Sequence, residues 1–221
     1  MIKVALAGER GKTGGAVAAG LQAAEDVDYV GGFGRDTDLG AFLAEHRPRV
    51  VVDFTRGEAA PGIALAAIAA GASPVIGTTG IRDAELDRIE AACREAGLGG
   101  VFAANFSIGA VLMMWLAEKA APHFEAVEIV EAHHATKLDK PSGTALVTAK
   151  RLGGEVPIHS LRLPGVVADQ EVVFGLAGQT LTIAHRTTSR EAYAPGVLLA
   201  IRKVVEEPRF HRGLDSILGL V

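Results

Sequence analysis

Ile2-Lys3-Val4-Ala5-Leu6-Ala7-Gly8-Glu9-Arg10-Gly11-Lys12-Thr13-Gly14-Gly15 is the stretch that decides the fold. A short apolar run breaks into a glycine-rich loop, and the residues after it, 16–24, are Ala-rich with helical period. Strand, glycine loop and helix in that order open a βαβ unit. Gly8, Gly11 and Gly14 let the backbone approach a pyrophosphate closely, and the helix start offers unpaired N–H groups and a favourable dipole. The spacing is GxxGxxG rather than GxGxxG, with Glu9 in the usual first-glycine position. Following the first strand of a βαβ unit, such a loop points to nucleotide binding.

The same alternation continues outward. Strand-like runs fall at 2–6, 27–33, 50–53, 74–76 and 100–103, and helical segments at 16–24, 59–70 and 84–95. The strands are apolar and hardly alternate, as strands buried on both faces should be. The pattern predicts an α/β fold with a Rossmann-type doubly wound parallel sheet. After residue 105 the character changes. A helix near 108–121, a strand at 126–132 and a helix at 144–152 lead into three runs, 158–163, 171–176 and 180–185, with Gly178-Gln179 read as a hairpin turn. This predicts a second, smaller α+β domain of mixed sheet. A last helix, 196–206, stops before Pro208 and can return to the first domain. The expected division is 1–105 plus 194–221 for a dinucleotide-binding domain and 106–193 for a substrate-binding domain. The active site is expected in the cleft between them, with Asn105 and residues 193–195 as hinge candidates.

Bulk properties narrow the function. The 221 residues are 49% hydrophobic and carry a net charge of -4 with a pI near 6.0, which gives a real core and no footprint for nucleic acid or a polybasic membrane contact. The apolar run 4–7 is too short for a signal-peptide core. The most membrane-like stretch, 108–117, falls short of the ~20 apolar residues that span a bilayer and reads as a buried helix. The lone Cys93 allows no internal disulfide and suits a reducing, cytoplasmic compartment.

The end of the second strand bears on the cofactor. It reads Gly32-Phe33-Gly34-Arg35-Asp36. An acid there would bind the adenosine ribose of NAD, but the position after the last apolar residue is Gly34. Arg35 suits a ribose 2′-phosphate, and Lys12 adds charge. NADPH is therefore expected in preference to NADH, with NADH possible. In the competing reading Arg35 is a solvated residue and Asp36 takes the ribose. Two more loops follow strand ends on the cofactor edge, Gly77-Thr78-Thr79-Gly80 and Ala103-Ala104-Asn105-Phe106, where small residues and hydroxyls suit a nicotinamide carboxamide.

The densest chemistry lies in Glu131-Ala132-His133-His134-Ala135-Thr136-Lys137-Leu138-Asp139-Lys140-Pro141-Ser142-Gly143-Thr144-Ala145. Ser142 or Thr144 can cap a helix whose first amides, with a nearby lysine, make a carboxylate site. Histidine is the natural proton donor near neutral pH. A metal site of Glu131, His133, His134 and Asp139 is conceivable from residue types, but the spacing matches no metal motif, so no metal is expected.

The string EAHHxxKxDxPSGTA resembles the signature of the dihydrodipicolinate reductase family. The resemblance extends to the glycine loop, Asp53-Phe54-Thr55, Gly77–Gly80, Ala104-Asn105-Phe106-Ser107-Ile108-Gly109 and Ala194-Pro195-Gly196-Val197. It implies reduction of 4-hydroxy-tetrahydrodipicolinate, with loss of water, in lysine and diaminopimelate biosynthesis. By position, it implies that His133 is the general acid/base and Lys137 its catalytic partner. His134, Lys137, Gly143 and Thr144 would bind substrate. Gly8, Glu9, Arg10, Gly11, Lys12 and Thr13 would hold the pyrophosphate, and Arg35 the 2′-phosphate beside Gly34. Gly77, Thr78, Thr79, Ala103, Ala104, Asn105 and Phe106 would face the nicotinamide. It further implies a homotetramer built through the second domain's sheet. Two departures stand out: Gly34 replaces the ribose-binding acid of many members, and the connection between Leu152 and Ile158 is short. Rival readings are another two-domain NAD(P) dehydrogenase and a non-catalytic NADP sensor. A semialdehyde-type enzyme would need a nucleophilic cysteine, and Cys93 lies in a helical stretch of the wrong domain.

Overall fold

The computed structural model describes residues 1–220. The chain divides into two compact units, Met1–Ser107 with the segment from Tyr193 onward, and Ile108–Ala192.

The first unit carries a six-stranded sheet, β1 (Ile2–Ala7), β2 (Val27–Phe33), β3 (Val50–Asp53), β4 (Ser73–Ile76), β5 (Gly100–Phe102) and β10 (Phe210–Arg212), in the order β10-β5-β4-β3-β1-β2. Every pairing is parallel. Val4, Ala5, Leu6 and Ala7 are fully buried, as a strand covered on both faces requires. The covering helices are α1 (Lys12–Ala23), α2 (Leu39–His46), α3 (Ala60–Ala69), α4 (Asp83–Ala96), α7 (Ala194–Glu206) and the short α8 (Leu214–Leu218). Their ends follow local chemistry. Asp38 accepts from Ala41 N–H at 3.0 Å to start α2, proline sits in the first turn of α3 and α7, and Gly97 closes α4 in the left-handed region. Strand order reverses between β1 and β3, so the loops after these two strands flank the switch-point crevice where ligands bind in such sheets.

The expected strands are all present, with ends moved by up to three residues: 171–176 begins already at Ala168. Three elements escaped the sequence reading, one of them the five-residue α8. In α2 only Leu43 is fully buried and Gly40 interrupts the pattern; β10 is three residues long and stands at the sheet edge.

The second unit holds α5 (Ile108–Ala120), β6 (Ala126–His133), α6 (Gly143–Arg151), β7 (Ile158–Arg162), β8 (Ala168–Leu176) and β9 (Gln179–Thr187). Its four-stranded sheet runs β7-β6-β8-β9, parallel between β6 and β7 and antiparallel elsewhere. Register puts Ile129 and Glu131 on the same face as Val172 and Gln170, all buried. Helix α5 packs Ala110, Val111, Met113, Met114 and Ala117 inward, but Leu112 and Leu116 are exposed, so it is only partly buried and shows an apolar outer face. The β8–β9 turn is Ala177-Gly178, not Gly178-Gln179: Gly178 takes the left-handed φ of 79° and Gln179 already pairs with Leu176. Among the described residues no helix is long and apolar enough to cross a membrane.

Candidate active site

On the first unit the glycine loop turns tightly against β3. Gly8 has φ 86°, and a Cβ there would meet the Phe54 carbonyl oxygen at 2.5 Å. A Cβ on Gly14 would meet the Gly8 carbonyl oxygen at 2.1 Å. Only glycine fits at either position. Gly11 precedes α1 and no side chain caps that helix. With Arg10, Lys12 and Thr13 around an uncapped start, the loop fits a pyrophosphate.

Gly34 and Arg35 lie exposed past β2, where the Thr37 hydroxyl accepts from Gly34 N–H at 3.2 Å. Glu9 turns toward β2. Its side chain lies across Gly32, so that any Cβ at Gly32 would collide with it. The loop thus sets a carboxylate against β2 two residues before Gly34.

Beyond β3, Asp53 is buried and draws two loops together. Its Oδ1 accepts from Thr55 N–H at 2.8 Å, from the Thr55 hydroxyl at 2.7 Å and from the Thr78 hydroxyl at 2.6 Å. Burial raises its pKa, against the lowering effect of the Thr78 and Thr55 bonds. Gly77 packs on the Phe54 ring, Thr79 is exposed, and Ala103, Ala104 and Asn105 continue from β5. Asn105 Oδ1 accepts from Ser107 N–H at 2.8 Å. Phe106 is buried edge-on to Phe54, ring centroids 5.9 Å apart.

On the second unit, β6 delivers His133 beside Glu131, two residues apart and on one face of the strand. Glu131 is fully buried. Its carboxylate takes both ends of the Arg162 guanidinium, Oε1 from Nη2 and Oε2 from Nη1, each at 2.9 Å. Oε2 also meets His133 Nδ1 at 2.5 Å. Burial alone would raise the Glu131 pKa, but hydrogen bonds from Arg162, Ser160 and His133 bring it down to about 2. A carboxylate can only accept, so Nδ1 of His133 carries a proton and a neutral ring leaves its Nε2 lone pair available. Burial lowers the His133 pKa, and Lys137 and Arg162 add to that against Glu131.

Lys137 follows on the loop, ion-paired to exposed Asp139 at 2.7 Å. Ser142 caps α6, accepting from Ala145 N–H at 3.2 Å, while Gly143 is exposed with open space where a Cβ would project. His134 takes a separate course: its Nδ1 meets the Thr136 hydroxyl at 2.8 Å, outside the Glu131 cluster. The four residues weighed as metal ligands are held in three different pairings, and among the described residues no group of three or more such side chains could hold a metal. Arg162 was missed by the sequence reading. It lies 29 positions after His133 and meets it only through the parallel β6–β7 register.

Comparison with known proteins follows the same division. A family model described as dihydrodipicolinate reductase, N-terminus, matches residues 2–106, and one described as dihydrodipicolinate reductase, C-terminus, matches 109–218. The chain belongs to the dihydrodipicolinate reductase family. Within that family, the 4-hydroxy-tetrahydrodipicolinate reductase of Moorella thermoacetica is 41% identical, with 98% of each chain covered. The protein of the same name from Coxiella burnetii is 40% identical over 98% of this chain and 99% of its own. A dipicolinate-bound dihydrodipicolinate reductase from Paenisporosarcina sp. TG-14 superposes with a TM-score of 0.90 at 31% identity, covering 98% and 99%. As a member, the chain is an oxidoreductase with the Rossmann-type fold of pyridine-nucleotide-dependent reductases.

Proposed function

We propose that the chain reduces 4-hydroxy-tetrahydrodipicolinate to tetrahydrodipicolinate, with loss of water, in diaminopimelate and lysine biosynthesis, using NADPH in preference to NADH. The observation that carries this reading is His133 held by buried Glu131 next to Lys137 and the open start of α6. A small dicarboxylate matches that arrangement: Lys137 offers one cation, and the Gly143 and Thr144 amides at the helix start offer donors to a carboxylate. His134 borders the same site. The reduced nicotinamide supplies hydride when bound. The chain's own part is to hold the ring, keep its carboxylates paired, and deliver the balancing proton from His133 Nε2. Proton transfer from the imidazolium leaves the neutral ring with its Nδ1–H still on Glu131.

The first unit is assigned the cofactor. Gly8–Thr13 hold the pyrophosphate, Arg35 takes the 2′-phosphate, and Gly77–Thr79 with Ala103–Phe106 face the nicotinamide. The reading also includes a cytoplasmic enzyme and a homotetramer. Support for assembly is the second sheet face, where Val130, Ala132 and Val173 alternate with the inward residues and Leu161 remains exposed.

A coupled assay tests the reaction. Dihydrodipicolinate synthase generates the substrate from pyruvate and aspartate semialdehyde, and oxidation is followed at matched NADPH and NADH. The expected result is synthase-dependent oxidation, faster with NADPH. Folded protein that binds NADPH but oxidises neither cofactor would overturn the assignment and favour a sensor.

A further inference from the structure

Glu131 and Arg162 form a fixed unit beneath the proposed proton donor. The carboxylate is fully buried and the guanidinium side chain is 8% exposed. Arg162 uses both terminal nitrogens twice over: on Glu131, and on the Asp139 and Leu161 carbonyls at 2.5 and 2.6 Å. Glu131 Oε1 also accepts from Ser142 N–H at 3.3 Å. One buried pair therefore ties together the ring of His133, the backbone beyond Lys137 and the cap of α6.

We propose that Glu131 and Arg162 are positioning residues of the reductase: Glu131 fixes His133 in the Nδ1–H tautomer with Nε2 toward the reacting ring, and Arg162 holds Glu131 ionised while anchoring the 139–142 turn. This rests on the reading of His133 as proton donor. Burying a carboxylate this fully is costly unless it is paired and hydrogen-bonded, so the pair signals a task beyond stability. A misplaced tautomer at an orienting carboxylate is known to slow a histidine-dependent reaction by orders of magnitude. The charged groups facing the ring are Glu131 on β6, Arg162 on β7, and Lys137 on the loop, itself paired to Asp139. Losing Glu131 and losing Arg162 should therefore act on His133 in opposite senses. A neutral partner withdraws support for the imidazolium, whereas an unneutralised carboxylate adds to it.

The test is a ¹⁵N NMR titration of His133 in the full chain, comparing wild type with Glu131→Gln and Arg162→Met, beside kcat and the KM for NADPH. Wild type should show one tautomer protonated at Nδ1. Glu131→Gln should mix the tautomers, lower the ring pKa and reduce kcat at least ~100-fold with the NADPH KM within about threefold. Arg162→Met should raise the ring pKa; Arg162→Lys, which keeps charge without the fork, should restore the wild-type direction and serves if the Met variant does not fold. Unchanged tautomer and pKa in Glu131→Gln, or shifts of one sign in both variants, would overturn the proposal. Absence of turnover in wild type would instead remove the function, whatever the titration shows.

Discussion

Asp53 and Thr78 are joined across two loops by a 2.6 Å hydrogen bond from the hydroxyl to the buried carboxylate. Through it the turn after β4 is tied to the end of β3. Asp53→Ala removes the acceptor of the Thr55 and Thr78 hydroxyls, while Thr55 N–H keeps Thr78 Oγ1 at 2.8 Å; a buried group left unsatisfied costs about 1–3 kcal/mol. The expected outcome is a KM for NADPH raised roughly tenfold with a smaller effect on the substrate KM, a tenfold change being about 1.4 kcal/mol. Equal changes in both KM values would show that the network stabilises the unit without shaping its cofactor edge.

Arg35 and Glu9 should pull cofactor choice in opposite directions. Arg35→Ala should raise the NADPH KM at least about tenfold and leave NADH nearly unchanged, as loss of a charge-assisted contact to a 2′-phosphate predicts. Glu9→Gln removes the carboxylate beside Gly32 and should improve NADPH relative to NADH. Paired kinetics with both nucleotides check the two variants; an unaltered ratio in Arg35→Ala returns the ribose to Asp36.

The pH profile follows from His133. To donate a proton its ring must be charged, so kcat/KM falls as pH rises through the pKa of the free enzyme, which burial holds below the usual 6.5. A bound dicarboxylate favours the charged ring, so the corresponding limb in kcat lies at higher pH. His133→Ala should remove this limb and lower turnover far more than NADPH affinity. A wild-type profile flat from about pH 5 to 8 would take His133 out of proton delivery.

Acid should loosen the second unit through Glu131. Its folded pKa is lowered to about 2 from an ordinary 4.5, so the ionised form favours the fold. That contribution is complete above the unfolded pKa and is lost as pH falls from about 4.5 toward 2. Circular dichroism melts of wild type and Glu131→Gln across this range should converge as pH falls. A constant gap would mean that the carboxylate stays neutral in the fold.

Assembly can be checked by light scattering. A tetramer is expected for wild type, and Val173→Glu on the outward sheet face should yield smaller species while unit packing is retained. A wild-type monomer would set the assembly reading aside.

Much of this molecule was legible from its residues. Val4–Ala7 and Val50–Asp53 are apolar at every position but Asp53, which is how a strand buried on both faces announces itself. The glycine loop needed only the strand before it and the helix after it. The segment 131–145 singled out His133 and Lys137 as candidates. What stayed hidden depended on pairing across distance. Arg162 has no local signature and reaches Glu131 by strand register alone. Glu131 attracted notice only as a possible metal ligand, because its true partner was out of view. Helix α2 failed for a different reason: a short surface helix with one fully buried side chain carries little periodicity.

The edge strand β10 has a consequence for biosynthesis. It pairs with β5, laid down more than a hundred residues earlier, and everything in the second unit is translated between them. Once the ribosome has passed residue 192 it has supplied the whole of the inserted unit, while the first sheet still shows an open β5 edge and lacks α7. The second unit can therefore finish folding before the first. The exposed β5 edge during that interval is the point at which a nascent chain is most open to chaperones, or to pairing with another copy of itself.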